Sequence, residues 1–437
     1  MTEQPASRSK WDEWTEAIRA ALTSEGVLFL VFATGMVGLF YAKALLSIFS
    51  GVIFGVAILN GVLDRTAFRE LRAYRAFIAL MCIVLLYVIS GIHSDDTGRW
   101  AKLTWENILY AAIPIGFYGY RKLSSETWRR LLFMFIGISA ISALSLMIDY
   151  ALHFESYNAL YKFGKTIPTP ITHVRYSFFM ALAACIAFAL AYEDSEQRAK
   201  NKKRRALIIM GVFLTIVVHV LAVRTGLLAL YGGLVTILTF VVLRDGRWKL
   251  GIASALGVLL LVLIAYNTFP SVMNKIGYVL YDLRMLKEQG ALAEYSDNVR
   301  ITSIRHGLDL VKENLITGTG IGDLHTEMRR MYAEKTPGFP EESRYPPISE
   351  FIFILTAFGL VGGALFFFLL LYPLFRTPFN YVLLAIYATT LFAMIGETSI
   401  EQQLGKTLFI TLVCIAVLLA RSVVQNASPG SPAGLSS

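Results

Sequence analysis

The chain is short of charge and nearly without cysteine. Asp, Glu, Lys and Arg make up 16% of its 437 residues, against 56% hydrophobic residues. Soluble globular domains carry about 25% charged residues. The deficit has a pattern, because apolar stretches recur from residue 26 to residue 423. A helix needs about 20 apolar residues to cross a bilayer. A soluble enzyme is excluded, and an all-α polytopic membrane protein is expected. The three cysteines, Cys82, Cys185 and Cys414, all lie inside apolar segments. That placement suits packing residues and implies no disulfide framework. The six histidines show no paired spacing of the zinc type, so neither a metal nor a cofactor is expected. The N-terminal stretch MTEQPASRSKWDEWTEAIRAALTSEG carries acids and lacks an apolar core, so it is not read as a cleavable signal peptide. Trp11, Trp14, Ile18 and Leu22 share one helical face there, as in a segment lying on a membrane surface.

The net charge is +9. The basic residues gather in short loops between apolar runs, which indicates orientation in a membrane and no nucleic-acid partner. Apolar segments at roughly 26–42, 45–63, 76–93, 105–120, 130–150, 172–192, 206–222, 225–243, 249–266, 351–373, 379–396 and 406–423 predict about twelve transmembrane helices. The loops at 64–75, 120–130, 193–205 and 244–249 are strongly basic and fall on one side of that count. By the positive-inside rule this is the cytoplasm, with both termini on it. The expected organisation is a cytoplasmic amphipathic segment (1–25), nine transmembrane helices (26–266), a large outer loop domain (267–350), three more transmembrane helices (351–423) and a disordered cytoplasmic tail (424–437). A loop of that length is usually functional. Within it, RITSIRHGLDLVKEN (300–314) places Ile301, Ile304, Leu308 and Val311 at helical spacing, GTGIG (318–322) stops that helix, and DLHTEMRRMYAEK (323–335) predicts a second.

Three arginines break the charge rule. Arg224 stands between two apolar runs in VHVLAVRTGLLALYGG (218–233), Arg175 lies at the outer end of the sixth span, and Arg300 opens the first loop helix. A guanidinium donates paired hydrogen bonds and stays charged, so it suits phosphate. Three of them at the outer leaflet could bind a lipid diphosphate and stabilise it as a leaving group. A lone arginine near a helix end also snorkels to headgroups or pairs with an acid, and Arg300 reads equally as an exposed helix-start residue. Gly359, Gly362 and Gly363 read as close-packing positions.

Three motifs resemble the O-antigen ligase and O-antigen polymerase family of bacterial envelope enzymes. VRTG (223–226) is similar to that family's arginine–small–glycine motif. VRITSIRHGLDLVKENLITGTGIGDL (299–324) resembles its arginine, amphipathic helix and glycine turn. FIFILTAFGLVGG (351–363) resembles the span after the outer loop. The resemblance implies a metal-independent membrane glycosyltransferase at the periplasmic face of the inner membrane. Its donor would be an undecaprenyl diphosphate-linked glycan, its acceptor lipid A-core or another carrier-linked glycan, and its surroundings membrane lipids. Arg224 and Arg300 would bind the diphosphate, with Arg175 a weaker correspondence. The family's histidine before this last span is replaced by Ile348 in YPPISEFIF (345–353). Glu350, His306 and His325 are the remaining candidate bases. Glu350 also suits a helix N-terminus without any catalytic task, and the two histidines suit exposed or loop-surface positions. The rival reading from another class is a twelve-span transporter. It would require charges along a midplane pathway and paired broken helices, neither of which the sequence displays.

Overall fold

In the computed structural model, residues 10–63, 69–162, 167–193, 201–268 and 296–427, with residues 277 and 284, are described. Residues 269–295, part of the expected outer loop domain, lie largely outside them, as do residues 1–9 and 428–437. Of the tail assigned from 424 onward, residues 424–427 continue the last helix. Among the described residues the chain is helical and has no strand. Nine helices there are long and apolar enough to cross a membrane, and Trp248–Leu260 and Tyr381–Gly396 are shorter apolar helices. Each of the twelve predicted segments contains an α-helix. The chain is therefore an all-α polytopic membrane protein.

The helices, in chain order, are α1 (Lys10–Leu22), α2 (Glu25–Tyr41), α3 (Lys43–Leu63), α4 (Arg75–Ile89), α5 (Thr97–Asn107), α6 (Leu109–Gly119), α7 (Ser125–Leu152), α8 (Phe154–Lys162), α9 (His173–Glu193), α10 (Asn201–Leu221), α11 (Arg224–Leu243) and α12 (Trp248–Thr268). After residue 295 come α13 (Ser296–Glu313), α14 (Leu324–Lys335), α15 (Glu350–Arg376), α16 (Tyr381–Gly396) and α17 (Gln403–Ala427). Caps start several of them. The Ser24 hydroxyl accepts from Val27 N, Ser124 from Thr127 N, and the Asn380 side chain from Leu383 N at 2.6 Å, satisfying donors that a helix start leaves open.

The core sits around α9 and α17, whose apolar windows are each 83% buried. The other spans keep an apolar outer face, as expected where lipid is the solvent. Glycines set the closest contacts. A Cβ on Gly226 of α11 would collide with Ser177 of α9, and one on Gly232 would collide with Phe392 of α16, so α11 lies directly against both.

The loop helices are not merely laid over this bundle. Gly359, inside α15, takes φ 64° and ψ −169°, a conformation open essentially to glycine alone. The helix breaks there, and the freed backbone groups are taken up by the segment after α13. Thr319 N donates to Thr356 O, Gly320 N to Ala357 O, and Leu360 N to Leu315 O at 2.7 Å. Polar backbone exposed by a broken membrane helix must find partners in protein, and residues 315–320 supply them. Gly318 (φ 72°) and Gly359 face each other so closely that a Cβ on either would strike the other's backbone. Gly359 is thus a close-packing position, and its backbone conformation requires glycine as well.

Candidate functional site

One end of the bundle carries α13, α14 and the segment up to residue 349. This capped end is tied down by Asp323, whose carboxylate accepts from Asp95 N at 2.7 Å and Asp96 N at 2.8 Å. Beneath it opens a cavity of about 1360 Å³. Its walls come from α3, α5 and α6, the start of α13, residues 343–348, and the turn between α16 and α17.

Arg300 and Glu397 both line this cavity. Arg300 is the fifth residue of α13, and Glu397 closes α16. The Arg300 guanidinium approaches the Glu397 carboxylate at 3.7 Å, a loose pair by the standard of charge-assisted hydrogen bonds near 2.8 Å. Burial raises the pKa of Glu397, while Arg300 and then Arg175 pull it back down. Arg175 is the third residue of α9 and half-buried, and its Nε finds no hydrogen bond among the described residues. Two of the three arginines singled out in the sequence therefore act on one carboxylate.

Arg224 is placed differently. It starts α11 after a sharp reversal in which Ala222 adopts φ 50°, a strained value for a residue with a side chain. The start of α11 is held beside the other two groups: Gly226 abuts Ser177, two residues after Arg175, and Thr225 lies against Gly396, one residue before Glu397. Its backbone thus belongs to the same corner, although Arg224 is not a wall of the cavity.

The three candidate bases part company. Glu350 is fully buried and does not line the cavity. Its Oε2 accepts from Ile400 N at 3.0 Å, so it fastens the turn that carries Glu397. His306 is 2% exposed, its Nε2 3.0 Å from the Thr336 hydroxyl and its ring edge-on to Tyr332. Burial and Lys335 lower its pKa, and it too is away from the cavity. His325 does line it. Burial, with Arg99 and Arg329 nearby, lowers its pKa to about 4, so it is neutral at physiological pH. Ile348, where the resemblance leads one to expect histidine, is also a cavity wall, and its N–H donates to the Ser303 hydroxyl at 3.2 Å.

Glu397 is the residue the sequence reading passed over. It sits in ETSIEQQLGK (397–406), at the connection between α16 and α17. Its signal was a carboxylate at the end of an apolar run, the mirror image of Arg224. Glu401, one turn on, also lines the cavity and accepts from the Tyr87 phenol at 2.9 Å. Burial raises its pKa, with Lys406 the main opposing charge. Among the described residues no group of three or more His, Cys, Asp or Glu could hold a metal ion.

A bundle of apolar helices with a roofed cavity lined by charged residues at one end is the architecture of this polytopic membrane protein. Residues 209–367 match the family model described as O-antigen ligase. The matched region runs from α10 through the break in α15. It contains Arg224, Arg300 and the Gly318–Gly359 contact, while Arg175 and Glu397 lie outside it. No curated protein matches the chain. The family supports glycan transfer of the ligase or polymerase type, with lipid-linked substrates in a membrane.

Proposed function

We propose that the protein moves a glycan from undecaprenyl diphosphate to a sugar hydroxyl of lipid A-core at the periplasmic face of the inner membrane. The observation that carries this reading is the meeting of Arg300 and Glu397 on one cavity wall, with Arg175 acting on the same carboxylate. Arg300 and Arg175 receive the donor's diphosphate, and Arg224 adds its charge from the adjacent helix start. The acceptor oxygen attacks the anomeric carbon and forms the new C–O bond. The old bond to the diphosphate breaks, and its electron pair leaves with the phosphate, where the guanidinium groups stabilise it. The acceptor proton passes to Glu397.

Glu397 serves this role better than the bases named from sequence. Glu350 and His306 do not face the cavity, and a histidine held near pKa 4 is a weak base at neutral pH. The donor itself sharpens Glu397. A diphosphate on Arg300 and Arg175 competes for the charges that hold the Glu397 pKa down, so its basicity rises only when substrate is in place. A polymerase would use the same chemistry with a second carrier-linked glycan as acceptor. Deleting the gene separates the two, since a ligase loss strips glycan from lipid A-core and a polymerase loss shortens it. A transporter reading predicts charges along a midplane path; the charges named here gather at the capped end.

The direct test uses the purified protein in vesicles with a carrier-linked glycan and a lipid A-core acceptor. R300A and E397Q are expected to lower transfer by about 10²-fold or more. Wild-type activity that survives both substitutions would remove the proposal.

A further inference from the structure

Helix α17 carries an ammonium that the proposed reaction does not use. Lys406 is 1% exposed and lies inside a candidate membrane span. Its Nζ donates to the Asn107 amide oxygen and, at 3.5 Å, to the Glu106 carbonyl, and it stands 5.7 Å from the centre of the Tyr110 ring. A charge taken out of water at this depth is costly, and apolar side chains of the same size hold helices together as well or better. The ammonium therefore needs a reason beyond packing. Three acids act on it: Glu401, the fully buried Glu350 and the exposed Glu106. Glu350 does not reach the cavity, and of Glu106 the lysine takes only the main-chain carbonyl. Glu401 lines the cavity and is held from behind.

Asn107 gives that hold a direction. A lysine only donates, so its bond to Asn107 assigns the amide oxygen to the lysine side and turns the amide nitrogen away from it. The nitrogen donates to Leu103 O at 2.9 Å, and the Asn107 side chain also acts on Glu401 by hydrogen bonding. From the other side the Tyr87 phenol donates to Glu401 Oε2 at 2.9 Å. An ionised carboxylate accepts and does not donate. Its partner in the cavity must therefore be a donor, as a sugar hydroxyl is and a phosphate dianion is not. Glu397, the base for the acceptor in the proposed reaction, lies on the same α16–α17 connection. We propose that Glu401 is a substrate-contacting residue that accepts a hydroxyl of the acceptor sugar, and that Lys406 is a positioning residue acting on it through Asn107. This assignment rests on the proposed glycan transfer and adds to it the side of the cavity that takes the acceptor.

E401Q exchanges the charged acceptor for a neutral amide of the same shape. KM for the lipid A-core acceptor is expected to rise about tenfold, because a charge-assisted hydrogen bond becomes an ordinary one, while kcat and the donor KM stay within about twofold. A rise confined to the donor, or a fall in kcat with acceptor KM unchanged, would overturn the assignment. K406M keeps the length of the side chain and removes its charge. The titratable groups around Glu401 are Tyr87 of α4, Glu106 of α5, Tyr110 of α6, Glu350 of α15 and Lys406 itself. Without the ammonium, burial favours protonated Glu401, so acceptor KM should rise at neutral pH and fall back as pH is raised. In the E401Q background K406M should add nothing further. A loss that ignores pH, or one of the same size with and without Glu401, would make Lys406 a structural tie alone. E401Q leaves the ammonium in place and reads the sugar contact even if K406M does not fold. Calorimetric titration of the acceptor into donor-free protein separates this inference from the transferase reading. Acceptor binding weakened by E401Q in a protein that transfers no glycan would keep the sugar contact and discard the transferase. Transfer by a protein whose acceptor binding E401Q leaves unchanged would do the reverse.

Discussion

The two ends of the bundle both join arginines to a carboxylate, and they do so in opposite ways. Away from the cap, Asp245 accepts from the phenols of Tyr192 at 2.6 Å and Tyr381 at 2.5 Å. Arg244 stacks over Phe379, and Arg247 lies over Tyr192. Burial works against the Asp245 carboxylate, yet the two phenols and both arginines together hold its pKa below the usual value. At the capped end the Arg300–Glu397 distance is 3.7 Å, burial dominates and raises the Glu397 pKa, and the buried Arg175 Nε has no hydrogen bond among the described residues. One cluster lies exposed at the surface with its carboxylate held by two phenols; the other faces a cavity of about 1360 Å³. A satisfied network holds helices together, while loosely paired charges beside a cavity are poised to exchange partners with a ligand.

That contrast can be broken most sharply by charge removal at the cap. E397Q should cost about 10²–10⁴-fold in glycan transfer while the unfolding midpoint in detergent moves little. A large fall in midpoint with unchanged activity would make Glu397 a structural partner like Asp245. Next in size is G359A. Its backbone conformation alone costs on the order of 1–3 kcal/mol for a residue with a side chain, and the added methyl strikes the Ile316 carbonyl. Stability and transfer should fall together, because the same contact seats the cap; an unshifted midpoint would mean the break in α15 tolerates side chains. D245N should lose about 1 kcal/mol of stability or less, because the cluster is exposed to solvent, with transfer rate preserved, and a selective loss of rate would erase the distinction between the ends.

The smallest expected effect concerns His325. Its pKa lies near 4 in the folded protein, against an ordinary value of 6.5. A depressed folded-state pKa gives stability that is fully present above about 6.5 and is lost as pH falls toward 4, since the unfolded chain binds the proton first. Acidification through that window should loosen the cap, measured as faster amide exchange in α14. H325Q should flatten the dependence, and an unchanged pH response would show that other groups titrate there.

Much of the architecture was legible as hydropathy. Each of the twelve apolar segments became helix, and so did the two periodic stretches of the outer loop, because lipid leaves a backbone no other hydrogen-bonded choice. Arg175 and Arg300 stood out by charge in places where charge is costly. The site read less well in its carboxylates. Glu350 and Glu397 are both acids beside an apolar run, and no local pattern tells that the first turns inward to Ile400 N while the second faces the cavity. Gly359 looked like its neighbours Gly362 and Gly363, since a one-dimensional pattern does not reveal a backbone angle.

By itself the amino-acid order determined the membrane class, the helix positions and the arginines worth attention, since these follow from transfer free energies and helical periodicity, which act residue by residue. Only the tertiary structure decided which carboxylate meets those arginines, that the glycine turn plugs a broken helix, and that the charged corner opens onto a cavity. Those outcomes depend on interactions between segments far apart in the chain, from Gly318 and Gly359 to Arg300 and Glu397 and Arg175 and Glu397, and on the packing of bulky against absent side chains, which no local stretch contains.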